Sequence, residues 1–174
     1  MVKATFKNLP KEKKDRVTAA LLNEFGHHTL KDAQVARIVK DAGIARGAFY
    51  KYFNDLTDAY CYLFRIAIKE IHSDMSPTEK YDPQVLYDRV LSFLDKTSHS
   101  KYESLIKLHV THNETDLPAT YSNAQGLLNM SPELWSAMVL SHEVIGEVLS
   151  DPDDEKKELL RFKKSLEILK KGTD

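Results

Sequence analysis

The chain has 174 residues, 42% of them hydrophobic and 29% charged, which is enough to bury a core without disulfides or metals. Its single cysteine, Cys61, excludes an intrachain disulfide, and the Cys/His spacing of a structural zinc site is absent. No apolar run approaches the ~18 residues of a membrane-spanning helix, and the N-terminus has no signal-peptide pattern. We therefore expect a cytoplasmic protein with no membrane partner.

Charge is distributed unevenly along the chain. Residues 1–53 carry 11 Lys or Arg and 5 Asp or Glu, a net charge of +6, whereas residues 54–174 carry 14 and 21, a net charge of −7. Such asymmetry indicates an N-terminal module that faces a polyanion. A solvated basic surface would give the same count, so the motifs must decide between the two.

The sequence predicts helices throughout. Gly and Pro are sparse, with six each, and no segment alternates apolar and polar residues as a strand does. Apolar residues at helical spacing predict helices over about 10–25, 33–41, 45–53, 57–73, 83–98, 101–113, 117–129, 131–150 and 153–171. We therefore predict an all-α fold of about nine helices, in which residues 1–54 form one domain and residues 55–174 a second.

Residues 34–53 have the layout of a helix-turn-helix. A short helix ends at Gly43, and a second short helix follows after a very short turn. Glycine suits this turn because it adopts positive φ without steric cost, and Ile44 can anchor the turn in the core. In this motif the second helix lies in the major groove of DNA while flanking groups bind phosphates. We therefore predict that the domain over residues 1–54 binds DNA.

The side chains around this motif suit contact with double-stranded DNA. Arg46 can make two parallel hydrogen bonds to a guanine edge, and tyrosine hydroxyls can donate to phosphate oxygens. The small residues Gly47 and Ala48 let the helix backbone approach the base edges. The predicted DNA contacts are Gln34, Arg37, Ala45, Arg46, Gly47, Ala48, Tyr50, Lys51 and Tyr52.

Residues 42–53, with the sequence AGIARGAFYKYF, resemble the signature of the tetracycline-repressor (TetR) family, roughly Ala-Gly-Val-Ser-x-Gly-Thr-Phe/Leu-Tyr-x-Tyr-Phe. The resemblance covers about residues 8–72. It implies a homeodomain-like three-helix module and a homodimeric repressor that a small-molecule effector releases from a palindromic operator. Four positions depart from the family pattern, where it usually carries a hydroxyl or a lysine: Gln34, Ala45, Ala48 and Leu56.

The resemblance also implies roles for the C-terminal helices. The last two helices would pair with their copies as a dimer interface, with packing inside one chain as the alternative. The predicted interface residues are Trp135, Met138, His142, Ile145, Leu149, Phe162 and Leu166. The preceding helices would enclose an effector site, with plain core packing as the alternative. The predicted pocket residues are Tyr60, Phe64, Tyr87, Phe93, His109 and Tyr121. No cofactor is predicted, and the effector is unidentified.

Other functions stay open at this point. His109 and His112, with Glu114 nearby, could present ligands to a metal from adjacent helical turns, but no third ligand is fixed by spacing. No catalytic signature or phosphate-binding glycine loop is present, so we predict that the chain is not an enzyme. The departures from the family pattern favour one alternative, a helical interaction or small-molecule-binding protein with weak or lost operator binding. Cys61 is either a small buried hydrophobe or a redox-sensing thiol.

Overall fold

The computed structural model describes residues 2–72, 80–117 and 130–171. Those residues contain nine α-helices and no strand, so the predicted all-α fold is confirmed. The helices are α1 (Ala4–Lys7), α2 (Lys11–His27), α3 (Val35–Ala42), α4 (Arg46–Tyr52), α5 (Leu56–Ile71), α6 (Pro83–Ser98), α7 (Glu103–Leu108), α8 (Pro132–Ser150) and α9 (Glu155–Lys171).

The chain divides into two compact units. The first consists of residues 1–70 and 101–117, and the second of residues 71–100 and 118–174. The predicted domain boundary after residue 54 was placed by expected function, whereas these units are defined by contacts within the chain. The boundary therefore stays a prediction.

The core of the first unit is built on the apolar stripe of α2. Val17, Leu21 and Phe25 recur at helical spacing on this helix, and each is fully buried. Ile38 from α3 and Phe49 from α4 are also fully buried. The three helices of the predicted helix-turn-helix module therefore share one core, which fixes the orientation of α4.

Two local features of the first unit differ from the sequence prediction. Helix α1 was not predicted; Asn8 follows its last residue, and Pro10 directly precedes α2. The helix expected over 101–113 ends at Leu108 and continues as a π-helical turn, His109–Asn113. Most of the helix expected over 117–129 lies outside the described residues.

The second unit contains α6, α8 and α9. Asp82 caps α6 by accepting hydrogen bonds from the backbone N–H groups of the second and third helical residues, and the Ser131 side chain caps α8 by accepting from the third. Each cap is followed by proline at the first helical position, which explains why both helices begin close to where the sequence predicts. The buried core residues are Leu86, Val90, Leu94, Leu134, Ala137, Val144, Val148, Leu159, Phe162 and Leu166.

Candidate nucleic-acid interface

The turn between α3 and α4 depends on one glycine. Gly43 has φ 61° and ψ 43°, in the left-handed region that other residues rarely adopt. Its N–H donates to the carbonyl of Lys40 at 3.2 Å, and the N–H of Ile44 donates to the carbonyl of Val39 at 3.0 Å. This pair of bonds is a Schellman motif, which ends α3 and redirects the chain into α4. The predicted positive φ at Gly43 is confirmed.

Helix α4 presents one polar face to solvent. Its buried side is formed by Phe49 and Tyr52, which are 0% and 3% exposed. The exposed residues Arg46, Gly47, Tyr50 and Lys51 lie on the same side because they are three and four positions apart. The burial of Tyr52 leaves little of its surface for a phosphate, whereas Tyr50 is 42% exposed.

The small residues of this face leave its backbone accessible. A Cβ built at Gly47 would meet nothing within 4 Å, so the helix surface is open there. Ala45, the residue before α4, is exposed, and Ala48 is half-buried. The face therefore offers a guanidinium, a phenol and an ammonium around an unobstructed stretch of backbone, the combination that suits the edge of a DNA groove.

Glu24 fixes the start of α3 through contacts that the sequence analysis missed. The predicted contact residue Gln34 precedes α3 without capping it through its side chain, and its backbone N–H donates to Glu24 Oε1 at 2.6 Å. Arg37 donates from Nε to Glu24 Oε2 at 2.8 Å and from Nη2 to Oε1 at 2.6 Å. Arg37 Nη2 also donates to the carbonyl of Asp32 at 2.7 Å. Arg37 therefore holds the two helices together, whatever contact it makes with DNA.

The ionisation of Glu24 depends on these partners. Glu24 is 4% exposed, and burial alone would raise the pKa of its carboxyl. The hydrogen bonds from Arg37 and from the Gln34 N–H outweigh burial, so the net pKa lies below the usual glutamate value. The carboxylate is therefore charged at neutral pH and keeps Arg37 in place.

The predicted pocket residues are divided between the two units. In the first unit, the His109 ring stacks on Phe64 with centroids 3.7 Å apart, and His109 Nδ1 lies 3.0 Å from the hydroxyl of Tyr60. In the second unit, the rings of Tyr87 and Phe162 stack with centroids 6.3 Å apart, and Phe93 is buried. Tyr121 lies outside the described residues.

The predicted interface residues lie in two environments of the second unit. Trp135, Met138 and His142 are exposed on α8, the first two by 49% and 39%. Ile145 and Leu149 pack partly buried against the core, while Phe162 and Leu166 belong to that core. Three exposed apolar residues join the first group: Val139 on α8, and Leu160 and Ile168 on α9.

The described residues contain no group of three or more His, Cys, Asp or Glu arranged to hold a metal ion. His109 is buried against aromatic rings, and His112 is exposed with its Nδ1 2.7 Å from the hydroxyl of Thr111. Among the described helices, none combines the length and the apolar character needed to cross a bilayer.

The helix-turn-helix region is similar to a known family. Residues 17–55 match the family model described as bacterial regulatory proteins, tetR family. The match begins in α2 and ends beyond α4, so it contains the complete helix-turn-helix. No curated protein matches the chain.

Solved structures resemble the chain over nearly its whole length. A TetR family transcriptional regulator from Chloroflexus aurantiacus J-10-fl has a TM-score of 0.59 and 21% identity, covering 99% of this chain and 98% of that one. The fatty acid degradation regulator FadR from Bacillus halodurans has a TM-score of 0.60 and 19% identity, with coverage of 91% and 96%. A TetR transcriptional regulator from Rhodococcus sp. RHA1 has a TM-score of 0.51 and 17% identity, covering 91% of this chain and 97% of that one. At these identities the likeness shows the fold.

The fold and the exposed face of α4 have the arrangement of a helix-turn-helix module. Residues 17–55 are similar to the helix-turn-helix of TetR-family regulators, and the described helices are similar in fold to solved members of that family.

Proposed function

We propose that the protein is a cytoplasmic, homodimeric repressor that binds a palindromic operator and releases it when a small-molecule effector binds. The observation that carries this proposal is the exposed face of α4, where Arg46, Tyr50 and Lys51 surround the open backbone at Gly47. In a dimer, two such faces about 34–36 Å apart would enter successive major grooves on one side of the duplex.

Exposed apolar surface on α8 and α9 supports the dimer. Trp135 and Val139 are each 49% exposed on α8, and Leu160 and Ile168 are 53% and 69% exposed on α9. Large aromatic residues with neighbouring aliphatic groups are typical anchors of protein interfaces. We place the proposed interface on these residues with Met138 and His142, because Phe162 and Leu166 already pack within the chain.

A buried network in the first unit supports effector control. Asn113, in the π-helical turn with His109, accepts a hydrogen bond from the N–H of Leu30 at 2.8 Å and donates to the Tyr60 hydroxyl at 3.4 Å. Leu30 lies in the loop that leads into α3. An effector that displaces the His109 ring from Phe64 would therefore disturb the loop that leads into α3. The fraction of molecules whose α4 is positioned to bind DNA would then fall.

The proposal is tested with a duplex that the protein itself selects from a random pool. Wild-type protein is expected to retard this duplex in a gel shift, with affinity that falls steeply as salt rises, because binding releases counterions from DNA. Arg46→Ala is expected to lower the affinity by about 10- to 100-fold, the range for removing one bidentate hydrogen-bonded pair with a base.

The matched control is Arg65→Ala, which removes an exposed arginine from α5. It is expected to leave the affinity within about twofold of wild type, because α5 lies outside the proposed DNA-binding face. Equal affinities of the Arg46 and Arg65 variants would contradict the assignment of α4. Failure of the wild type to select or retard any duplex would contradict operator binding and favour the alternative of a helical interaction protein.

A further inference from the structure

The N-terminal basic segment, residues 3–16, contains an unusual share of the positive charge. It carries six Lys or Arg against two acidic residues, so more than half of the 11 cations in residues 1–53 lie within 14 positions. The contacts predicted from the helix-turn-helix pattern include none of them. The contacts of these residues in the fold show where two of the lysines, Lys3 and Lys14, place their ammonium groups.

Helix α1 fixes the beginning of this segment beside α4. Phe6 is 1% exposed, and its ring centroid lies 4.9 Å from that of Phe53, 5.0 Å from Tyr62 and 5.5 Å from Tyr52. Four aromatic rings in contact bury a large apolar area, which holds the segment in one place. The lysines on either side of Phe6 are therefore positioned by the fold rather than spread through solvent.

Lys3 reaches the C-terminal end of α4 directly. Its backbone N–H donates to the carbonyl of Tyr52 at 3.0 Å, and its Nζ donates to the carbonyl of Tyr50 at 2.8 Å. An ammonium has three donors, so this bond leaves donors for another acceptor. Because Tyr50 is on the exposed face of α4, the charge of Lys3 lies at the edge of that face.

Lys7 lies one helical turn beyond Lys3, and its side chain is exposed. Lys14 Nζ donates to the carbonyl of Lys7 at 2.9 Å, so a third ammonium is held next to the same turn. Lys3 thus contacts the end of α4, Lys7 follows at the next turn of α1, and Lys14 contacts Lys7 from α2; none of the three has an ion pair to an acidic side chain among the described contacts.

We propose that Lys3 and Lys7 bind backbone phosphates of double-stranded DNA at the C-terminal end of α4, as a sequence-independent contact that accompanies base contacts by Arg46. The inference rests on the proposed function and adds a second contact region to it. Phosphate contacts position a protein on the duplex without distinguishing sequences, so these lysines contribute to affinity for any duplex.

The test compares the double variant Lys3→Gln/Lys7→Gln with the wild type by fluorescence anisotropy over a series of salt concentrations. Two duplexes are used, the one selected by the wild type and one of unrelated sequence. Glutamine at position 3 keeps a donor for the Tyr50 carbonyl, and the melting temperature reports whether the fold is retained. Lys7→Gln alone, at an exposed position, serves as a second variant that does not disturb α4. Lys107→Gln, on an exposed lysine of α7, is the matched control.

The slope of log affinity against log salt is expected to fall in magnitude by about 0.9 for each phosphate that the variant no longer neutralises. The affinity for both duplexes is expected to fall by the same factor, so that their ratio stays at the wild-type value. A slope equal to that of the Lys107 control would overturn the inference while leaving the proposed function intact. A changed ratio with an unchanged slope would also overturn it, because the lysines would then contact bases. Absence of wild-type binding to either duplex would overturn the proposed function as well.

Discussion

Two exposed surfaces of this protein differ in length and in chemistry. The surface of α4 extends over seven residues and presents charged and hydroxyl groups around a glycine. The surface of α8 and α9 extends over helices of 19 and 17 residues and presents Trp135, Val139, Leu160 and Ile168. The first suits a polyanion and the second suits another apolar surface.

The difference shows how exposed side chains indicate a partner. Charged groups on α4 remain solvated when the partner is absent, so they carry no penalty in the free protein. Apolar groups gain about 25 cal/mol for each Å² removed from water, so a long apolar surface is more stable when it is covered. We therefore expect the apolar surface to be covered permanently and the α4 surface to bind reversibly.

Disruption of the apolar surface is expected to have the largest effect. Trp135→Asp/Val139→Asp places two carboxylates in the proposed interface, and light scattering is expected to show a monomer. The affinity for the selected duplex is expected to fall by about 100-fold or more, since two linked binding modules bind far more tightly than one.

Val85→Asp is the matched control for this double variant, because Val85 is an apolar residue of α6 with 43% exposure outside the proposed interface. It is expected to leave both mass and affinity unchanged. A dimer that survives the aspartates at 135 and 139 would show that the apolar surface has another partner.

A bulky residue at Gly47 is expected to separate DNA binding from folding. Because a Cβ there meets no atom within 4 Å, Gly47→Leu is expected to change the free energy of unfolding by less than about 0.5 kcal/mol. The same side chain would prevent close approach of α4 to the bases, and we expect the duplex affinity to fall by about tenfold or more. Denaturant unfolding and anisotropy measure the two quantities, and unchanged affinity would show that this part of α4 does not enter a groove.

Replacement of the buried carboxylate is expected to have an intermediate effect on stability. Glu24→Gln weakens the bonds to Arg37 and Gln34 and is expected to cost about 1–3 kcal/mol of unfolding free energy at neutral pH. Because the folded-state pKa of Glu24 is lowered, its stabilisation is complete above the unfolded-state pKa, about 4.3, and is lost as pH falls through the lower folded value. The wild type should therefore lose stability in acid faster than the variant. Parallel stability curves from about pH 7 to pH 3 would contradict this account of Glu24.

Replacement or oxidation of Cys61 is expected to have the smallest effect on DNA binding and on stability. Burial raises the pKa of its thiol to about 11, so little thiolate exists near neutral pH. Cys61→Ala is expected to cost about 1 kcal/mol of stability, and mild peroxide treatment of the wild type is expected to leave duplex affinity unchanged. A fall in affinity on oxidation that Cys61→Ala abolishes would support the redox-sensing interpretation instead.

Local pattern was sufficient to predict much of the fold. The left-handed turn at Gly43 follows from one residue's conformational preference and the limits of α6 follow from apolar spacing, and the structure confirms both. The helix predicted over about 10–25 is present as α2, with its apolar stripe buried. The exposed α4 residues could also be identified from the motif that contains them.

Long-range contacts could not be predicted in the same way. Glu24 meets Arg37 across 13 positions, and Phe6 meets Tyr52 across 46, so neither pair leaves a periodic signal in the sequence. Phe162 was expected at an interface from the family resemblance, and its side chain packs in the core of the second unit, because an apolar residue at helical spacing is covered but its spacing does not identify what covers it. Helix α1 has only four residues, too few for an apolar period to appear.

Hydroxyl-radical footprinting of the selected duplex tests the central claim most directly, because it reports which stretches of the sugar-phosphate backbone the protein covers and therefore how many α4 helices bind the duplex. The account predicts two protected segments on one side of the duplex, related by twofold symmetry, with centres about 10–10.5 bp apart. A single protected segment, or uniform cleavage in the presence of saturating protein, would contradict it.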